Sequence, residues 1–432
     1  MSTSRLKVDL APLRSSPGFR AIYASRTITW LGTSATEVGL LVEARQLTQS
    51  ALAVGLLGAA EVVPLVISGL YGGVLADRAD RRRLMRLAEA GLCCCALLLT
   101  LNAAAPRPAL WPLYGVAAAM MSIAALQRPS LDASIPRIVA PEQLTAASAL
   151  MSGSQNISVI TGTALGGLLA VHPGVQAVYA LDVASFLLSL GFLARLRPLP
   201  APAVSESQRA PGFRAVLQGL SYARGRTDLL GSYLVDLGAM TLAYPNALFP
   251  FMAASLHASW AVGLMFAAPS AGAVAVTATG GWMSRVRRHG LAIAVAAASW
   301  GLAITGFALA PDLAAALAFL TVAGAADMTS GIFRDTLWNQ TIPDSLRGRM
   351  AGVELLSYGV GPSVGQIRAG AVASLTTPRF SLVSGGVMCV LAVGVTCQVF
   401  PALVRYRRSE PLSQRTEAES QSGETGGSLA DV

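Results

Sequence analysis

The stretch from Gly72 to Leu84 constrains this chain more than any other. An apolar run ends in Gly72 and Gly73, sets Asp77 beside Arg78, continues through Arg81, Arg82 and Arg83, and then turns apolar again. Guanidinium groups do not cross hydrocarbon, so such a turn is tied to one face of a bilayer, and small residues let the flanking helices approach closely. The reading is two membrane helices joined by a short basic turn.

The rest of the chain repeats this device. Only 13% of its 432 residues are charged and 53% are hydrophobic, against roughly 25% charged in soluble domains. At about 20 apolar residues per crossing there is room for about a dozen spans and no large soluble domain. The apolar runs predict helices at 20–45, 51–76, 83–104, 109–131, 142–170 and 174–196, then 229–254, 258–284, 290–310, 312–337, 346–374 and 380–404. The expected organisation is a bundle over 1–196, a linker over 197–228, a second bundle over 229–405 and a disordered tail over 406–432. Within the linker, 212–223 reads as a short amphipathic surface helix. The first twenty residues carry no secretory signal, so the first span is expected to direct its own insertion.

The net charge is +9, and Lys7 is the only lysine. The arginines sit in short turns between apolar runs, which assigns them to topology rather than to a nucleic-acid face. Arg78 to Arg86, Arg128 and Arg137, Arg195 to Arg226, Arg285 to Arg288, and Arg347 and Arg349 fall in even-numbered turns, with more at both termini. Odd-numbered turns hold Arg45, Arg107 and Arg379. Both termini and the linker are therefore expected on the cytoplasmic side of the cell membrane.

Cys93, Cys94, Cys95, Cys389 and Cys397 all lie in apolar runs and read as packing residues. His172, His257 and His289 are far apart and in turns, so no metal constellation or cofactor is expected. A phosphate-binding loop needs a lysine after spaced glycines, and Lys7 has none, which argues against an ATP-driven pump. No feature suggests an enzyme.

The two halves echo each other. Gly72, Gly73 and the basic turn return as Gly280, Gly281 and Arg285; Ser158, Gly162, Gly166 and Gly167 return as Ser357, Gly361, Gly365 and Gln366. Weak internal symmetry between two six-helix halves is a mark of alternating-access carriers.

With Gly73, Leu75, Ala76, Asp77, Arg78, Arg81 and Arg82 at the spacing of its loop motif, the chain resembles the major facilitator superfamily; Asp80 stands where glycine is usual. Within it the chain is most similar to the enterobactin-exporter and macrolide-efflux branch, through Phe19 and Arg20, Glu61 to Pro64, Arg128 and Pro129, Pro141 to Leu144, Leu181 and Asp182, and Pro343 to Arg349. The resemblance implies an all-α membrane protein of twelve helices in two pseudo-symmetric six-helix bundles. It also implies that Asp77 sits near the start of the eleventh helix in the outward-closed state. Arg78 or Arg81 would then pair with an acid such as Asp132, forming a latch that includes Gly73. The fifth-helix motif of proton-coupled exporters is represented by Gly162, Gly166 and Gly167, with Thr163 in place of proline and Ser158 in place of the first glycine. Gly361 and Gly365 are their counterparts, and tight helix packing is expected at both.

Ionisable groups inside a membrane span are functional candidates by default. Glu37, Glu61, Asp236 and Asp327 lie within apolar runs, and Arg26 is a possible partner. In the implied fold helices one, four, seven and ten line a central cavity, which makes Glu37, Asp236 and Asp327 cavity candidates. A carboxyl that is dry in one state and wet in the other changes its proton affinity between them, which couples protons to transport. Met120, Met121 and Gln127 could line the same cavity. The expected function is a monomeric secondary transporter, a proton-coupled exporter of an amphipathic small molecule such as a siderophore, drug or secondary metabolite. Its partners are that substrate, protons and lipid, not nucleic acid. The alternatives are an uptake carrier for a small metabolite, or a non-transporting membrane sensor or receptor.

Overall fold

A computed structural model describes residues 9–78, 80–132, 134–196, 221–343 and 347–406. Among them are twelve long helices: α1 (Pro17–Thr48), α2 (Ala51–Arg78), α3 (Arg81–Ala104), α4 (Trp111–Asp132), α5 (Leu144–Leu169), α6 (Val175–Ala194), α7 (Thr227–Ala243), α8 (Val262–Thr279), α9 (His289–Leu309), α10 (Leu313–Thr341), α11 (Arg347–Leu375) and α12 (Pro378–Val399). The linker over 197–220 and the tail beyond Tyr406 lie outside the described residues.

Local chemistry sets several of the boundaries. The Ser16 hydroxyl accepts the Phe19 amide at 3.1 Å with Pro17 as the first helical residue, and Thr377 with Pro378 does the same for Phe380. Asp312 caps α10 by accepting the Ala315 amide at 2.8 Å. Asp80 accepts the amides of Arg82 and Arg83 at the start of α3. That capping duty gives the acid in place of the usual glycine a local reason. The seventh helix, expected to run unbroken over 229–254, instead stops at Ala243. Pro245 disfavours helical backbone at Tyr244, whose ψ is 118°. The chain resumes as a 3₁₀ turn, Asn246–Leu248, and a short helix, Phe249–Ser255.

Among the described residues six helical stretches are long and apolar enough to cross a membrane, Arg81–Ala104, His289–Leu309 and Pro378–Val399 included. Their outward faces carry exposed large apolar side chains, such as Leu98, Leu101, Leu302, Leu391 and Val399. Small and hydroxyl-bearing residues such as Ser25, Ser189 and Ser232 are buried. A bundle that is apolar outside and partly polar within is the arrangement lipid demands, because each buried polar group must find its partner inside the protein.

The halves repeat one packing scheme. In the first, α1 packs on α5 and α6, α2 on α4, and α3 on α4 and α6; in the second, α7 packs on α11 and α12, α8 on α10, and α9 on α10 and α12. The bundles meet through α2 against α11 and α5 against α8, two contacts that exchange under the same correspondence. The glycines singled out in the sequence sit at these crossings. A Cβ on Gly166 would stand 2.7 Å from the Ala35 Cα on α1, and one on Gly365 would stand 2.8 Å from the Tyr244 Cβ just beyond α7. Gly162 lies against Leu31 and Gly361 against Met240, whereas Gly167 turns across the interface onto Gly263 of α8.

Candidate functional site

The inter-bundle contacts concentrate at the arginine-poor end. There Gly55 and Gly58 of α2 face Gln366 and Ser363 of α11, Gly370 faces Ala51, and the Arg45 guanidinium lies 5.3 Å over the Phe251 ring. Toward the arginine-rich end the structure opens into two overlapping cavities of about 580 Å³ and about 320 Å³. Each lies in the size range of small-molecule sites.

The larger cavity is walled by the first half, with Arg26, Trp30, Met120, Gln127, Met151 and Phe186 on its surface. The smaller one adds the second half through Tyr244, Asn246, Phe266, Pro362 and Gln366. Glu37, Leu40, Glu61, Met121 and Arg128 line both. The break after α7 is what brings Tyr244 and Asn246 to the wall, where the Asn246 amide donates to the Tyr244 hydroxyl at 2.9 Å.

Two of the expected acids therefore converge. Glu37 of α1 is exposed to the cavity, Glu61 of α2 is half-exposed to it, and the two feel each other electrostatically. Among the described residues neither carboxyl accepts a hydrogen bond or forms an ion pair. Carboxyls in a bundle interior are normally partnered; these two instead face the cavities.

The other expected acids are placed differently. Asp236 was expected at the cavity, but it is fully buried and ion-paired with Arg334 of α10. The Trp338 indole donates to Ser232 at 2.9 Å and stacks on Tyr233, closing this cluster off. Asp327 is half-buried on α10, lines neither cavity, and senses the Asp236 and Arg334 charges. Arg26 does line the cavity, and its carboxylate partner is Glu89 of α3 at 3.7 Å. Arg26 also donates to the Gln127 carbonyl at 3.1 Å and lies 5.0 Å over the Trp30 ring, and the Gln127 amide donates to Glu89 at 3.0 Å. Asp182 is buried on α6, accepting from Thr36 at 2.7 Å and Ser185 at 3.1 Å. Of the expected latch, Gly73 lies on α2 and Arg81 opens α3 as a buried residue; the side chains of Asp77, Arg78 and Asp132 lie outside the described residues.

Sequence reasoning passed over Glu89, Arg334 and Glu43, the last buried on α1 and accepting from the Tyr179 hydroxyl at 2.6 Å. All three are ionisable residues inside apolar runs, so the rule that flagged Glu37 would have flagged them too. Arg128 was read as a topology signal and as part of the family resemblance, not as a cavity residue, yet it stands on both cavities.

Comparison with known proteins bears on the family and the fold. The family described as transmembrane secretion effector matches residues 7–419. The chain is 29% identical over 409 residues to the enterobactin exporter EntS of Salmonella paratyphi A, covering 94% of this chain and 98% of that protein. It is 27% identical over 416 residues to the enterobactin exporter EntS of an Escherichia coli strain, covering 96% and 98%. Among solved structures, a mutant of the nucleoside transporter NupG superposes with a TM-score of 0.72 at 12% identity, covering 90% of this chain and all of that one. A mutant of the peptide transporter POT in complex with alafosfalin also gives 0.72, at 11% identity and 91% and 96% coverage. These last two likenesses concern the fold.

Proposed function

We propose that this chain, which belongs to the transmembrane secretion effector family of the major facilitator superfamily, is a proton-coupled exporter of an amphipathic small molecule. It is a multi-pass membrane transporter and not an enzyme. In our reading its twelve helices all cross the membrane, the arginine-rich end faces the cytoplasm, and the protein works as a monomer. The export direction follows the relatives that are named exporters.

The observation that carries the proton coupling is the meeting of Glu37 and Glu61, without partners among the described residues, where a cavity of the first bundle overlaps one shared by both bundles. With the arginine-poor end closed, both carboxyls are wetted from the other side. Rocking the bundles about α2–α11 and α5–α8 exchanges which end is open. A carboxyl whose surroundings change in that exchange binds its proton differently in the two states. Trp30, Phe186, Phe266 and the methionines supply apolar wall for the body of the substrate, while the acids and Arg128 supply its polar contacts. Asp77, Arg78, Arg81 and Asp132 remain our candidates for a latch at the arginine-rich end.

The test is transport into inverted membrane vesicles with an acid interior, using a panel of fluorescent amphipathic compounds. Wild-type protein is expected to accumulate at least one of them in a gradient-dependent way. Glu37→Gln should reduce gradient-driven accumulation by about tenfold or more, as expected for loss of a group that carries the exchanged proton. Gradient-driven transport that survives both Glu37→Gln and Glu61→Gln would remove these acids from the mechanism. Accumulation only in right-side-out vesicles would reverse the direction.

A further inference from the structure

Behind the cavity wall lies a buried charge that the transport scheme does not use. Glu89 is fully buried on α3 and touches no part of the cavity surface. Its Oε1 accepts the Gln127 amide at 3.0 Å and lies 3.7 Å from the Arg26 guanidinium. Arg26 and Gln127 both line the cavity, so they are the groups a bound molecule meets, and Glu89 acts on that molecule only through them. The hydrogen bonds fix the geometry closely. Gln127 must present its amide to Glu89 in order to offer its carbonyl to Arg26, and the Arg26 guanidinium is laid over Trp30 at 5.0 Å.

The electrostatic consequence concerns ligand charge. A lone guanidinium on a cavity wall recruits carboxylates and phosphates. Arg26 is not in that condition, because Glu89 supplies its counter-charge from the dry side. Farther along the same cavity stand two more carboxyls, Glu37 and Glu61, against one more guanidinium, Arg128. A second anion brought to Arg26 would have to compete with Glu89 and face both of those acids. A neutral oxygen meets no such opposition and can accept from Arg26 where it stands.

We propose that Glu89 is a specificity-determining positioning residue: by neutralising Arg26 from behind the wall, it makes this end of the cavity a subsite for neutral hydrogen-bond-accepting groups, such as carbonyl, amide or ether oxygens, and turns away anionic ones. This deepens the transporter reading and rests on the cavity being the substrate site.

The experiment compares two fluorescent probes that differ only at one group, dansylglycinamide and dansylglycine, by titration of the purified full-length protein in detergent. The wild type is expected to bind the neutral amide more tightly than the acid. E89Q keeps an acceptor for Gln127 but removes the counter-charge, and should shift the acid-to-amide affinity ratio toward the acid by about tenfold, the scale of one charge-assisted hydrogen bond. R26Q should move the ratio the opposite way, and the double variant R26Q/E89Q should return it toward the wild-type value. A change that merely loosens the bundle would weaken both probes together and leave the ratio fixed. An unchanged ratio in E89Q overturns the proposal; if E89Q does not fold, an unchanged ratio in R26Q does so. If the wild type binds neither probe, the substrate-cavity reading fails and this inference with it, an outcome distinct from binding with a fixed ratio.

Discussion

The two bundles carry polar bridges at corresponding places, between their first and fourth helices, and the bridges differ in kind. In the first half Arg26 of α1 meets Gln127 of α4, with Glu89 of α3 completing the set, and Arg26 and Gln127 look onto the cavity. In the second half Asp236 of α7 meets Arg334 of α10 with side-chain exposures of 1% and 4%, and the pair lines neither of the two cavities. The first bridge shares one cation among an amide, a carboxylate and an aromatic face; the second sets a buried cation directly against a buried acid, with Asp327 near enough to feel both charges. A wetted, shared bridge can be rearranged by a ligand or by water. A sealed pair holds two helices in register and resists change, because separating buried charges leaves each without its neighbour's field. In the reading we propose, the chemistry of transport falls mainly to the first half, with α7 and α10 as a strut against which the first bundle moves.

Breaking the sealed pair should have the largest effect on folding. Asp236→Ala removes the carboxylate that pairs with the buried Arg334 guanidinium, and breaking one partner of a buried pair costs about 3–5 kcal/mol. The expected result is a large fall in the thermal unfolding midpoint of the detergent-purified protein and a low yield of folded transporter. Replacing both partners with apolar residues, Asp236→Leu together with Arg334→Met, should recover most of that loss, and transport per folded molecule should survive. A stable double variant that transports nothing would show that the pair belongs to the transport cycle, and the contrast between the halves would collapse.

The wet bridge should answer in the other order. Arg26→Ala is expected to cost about 1–2 kcal/mol of stability, because cavity water replaces part of what the guanidinium donated. Its effect on ligand affinity should exceed its effect on the unfolding midpoint, the reverse of Asp236→Ala. Equal destabilisation by the two substitutions would mean that Arg26 is also a strut.

Much of this architecture was legible in the sequence, for a physical reason. Apolar run length and arginine placement are set by the bilayer, so the helices and turns could be read with little error. The paired sets Gly162, Gly166 and Gly361, Gly365 follow from helix crossings that tolerate no side chain. Glu37 and Glu61 stood out because carboxyls in apolar runs are costly. What could not be read was rotation. Successive helical residues are turned by about 100°, and a helix that is apolar nearly all round gives little sign of which face looks inward. That ambiguity put Asp236 at the cavity when it points to Arg334. It also left Glu89 hidden behind Arg26, since the pairing depends on α1, α3 and α4 together. The interruption at Tyr244 and Pro245 was legible in principle, and reading through the proline hid two wall residues of the cavity.

The sharpest control for the comparison uses the same chemistry on the same helix. Arg226 and Asp228, at the start of α7, form a two-point pair with Nε and a terminal nitrogen at 3.0 and 2.8 Å from the carboxylate oxygens, but 41% of the Arg226 side chain is exposed. Burial works to raise the Asp228 carboxyl, yet the Arg226 hydrogen bond and the Leu229 amide outweigh it and hold the group below the ordinary carboxylate range. A depressed folded-state value means that the pair's contribution is fully present above the unfolded value, about 3.9, and is lost as pH falls through the folded one. Solvent screening keeps it near 0.2–1 kcal/mol, roughly the scale of an exposed ion pair. Asp228→Asn should therefore lower the unfolding midpoint slightly at pH 7, by less as salt is raised, and the gap to wild type should close in strong acid. If Asp228→Asn instead matches the loss from Asp236→Ala at neutral pH, burial is not what separates the strut from the rest of α7.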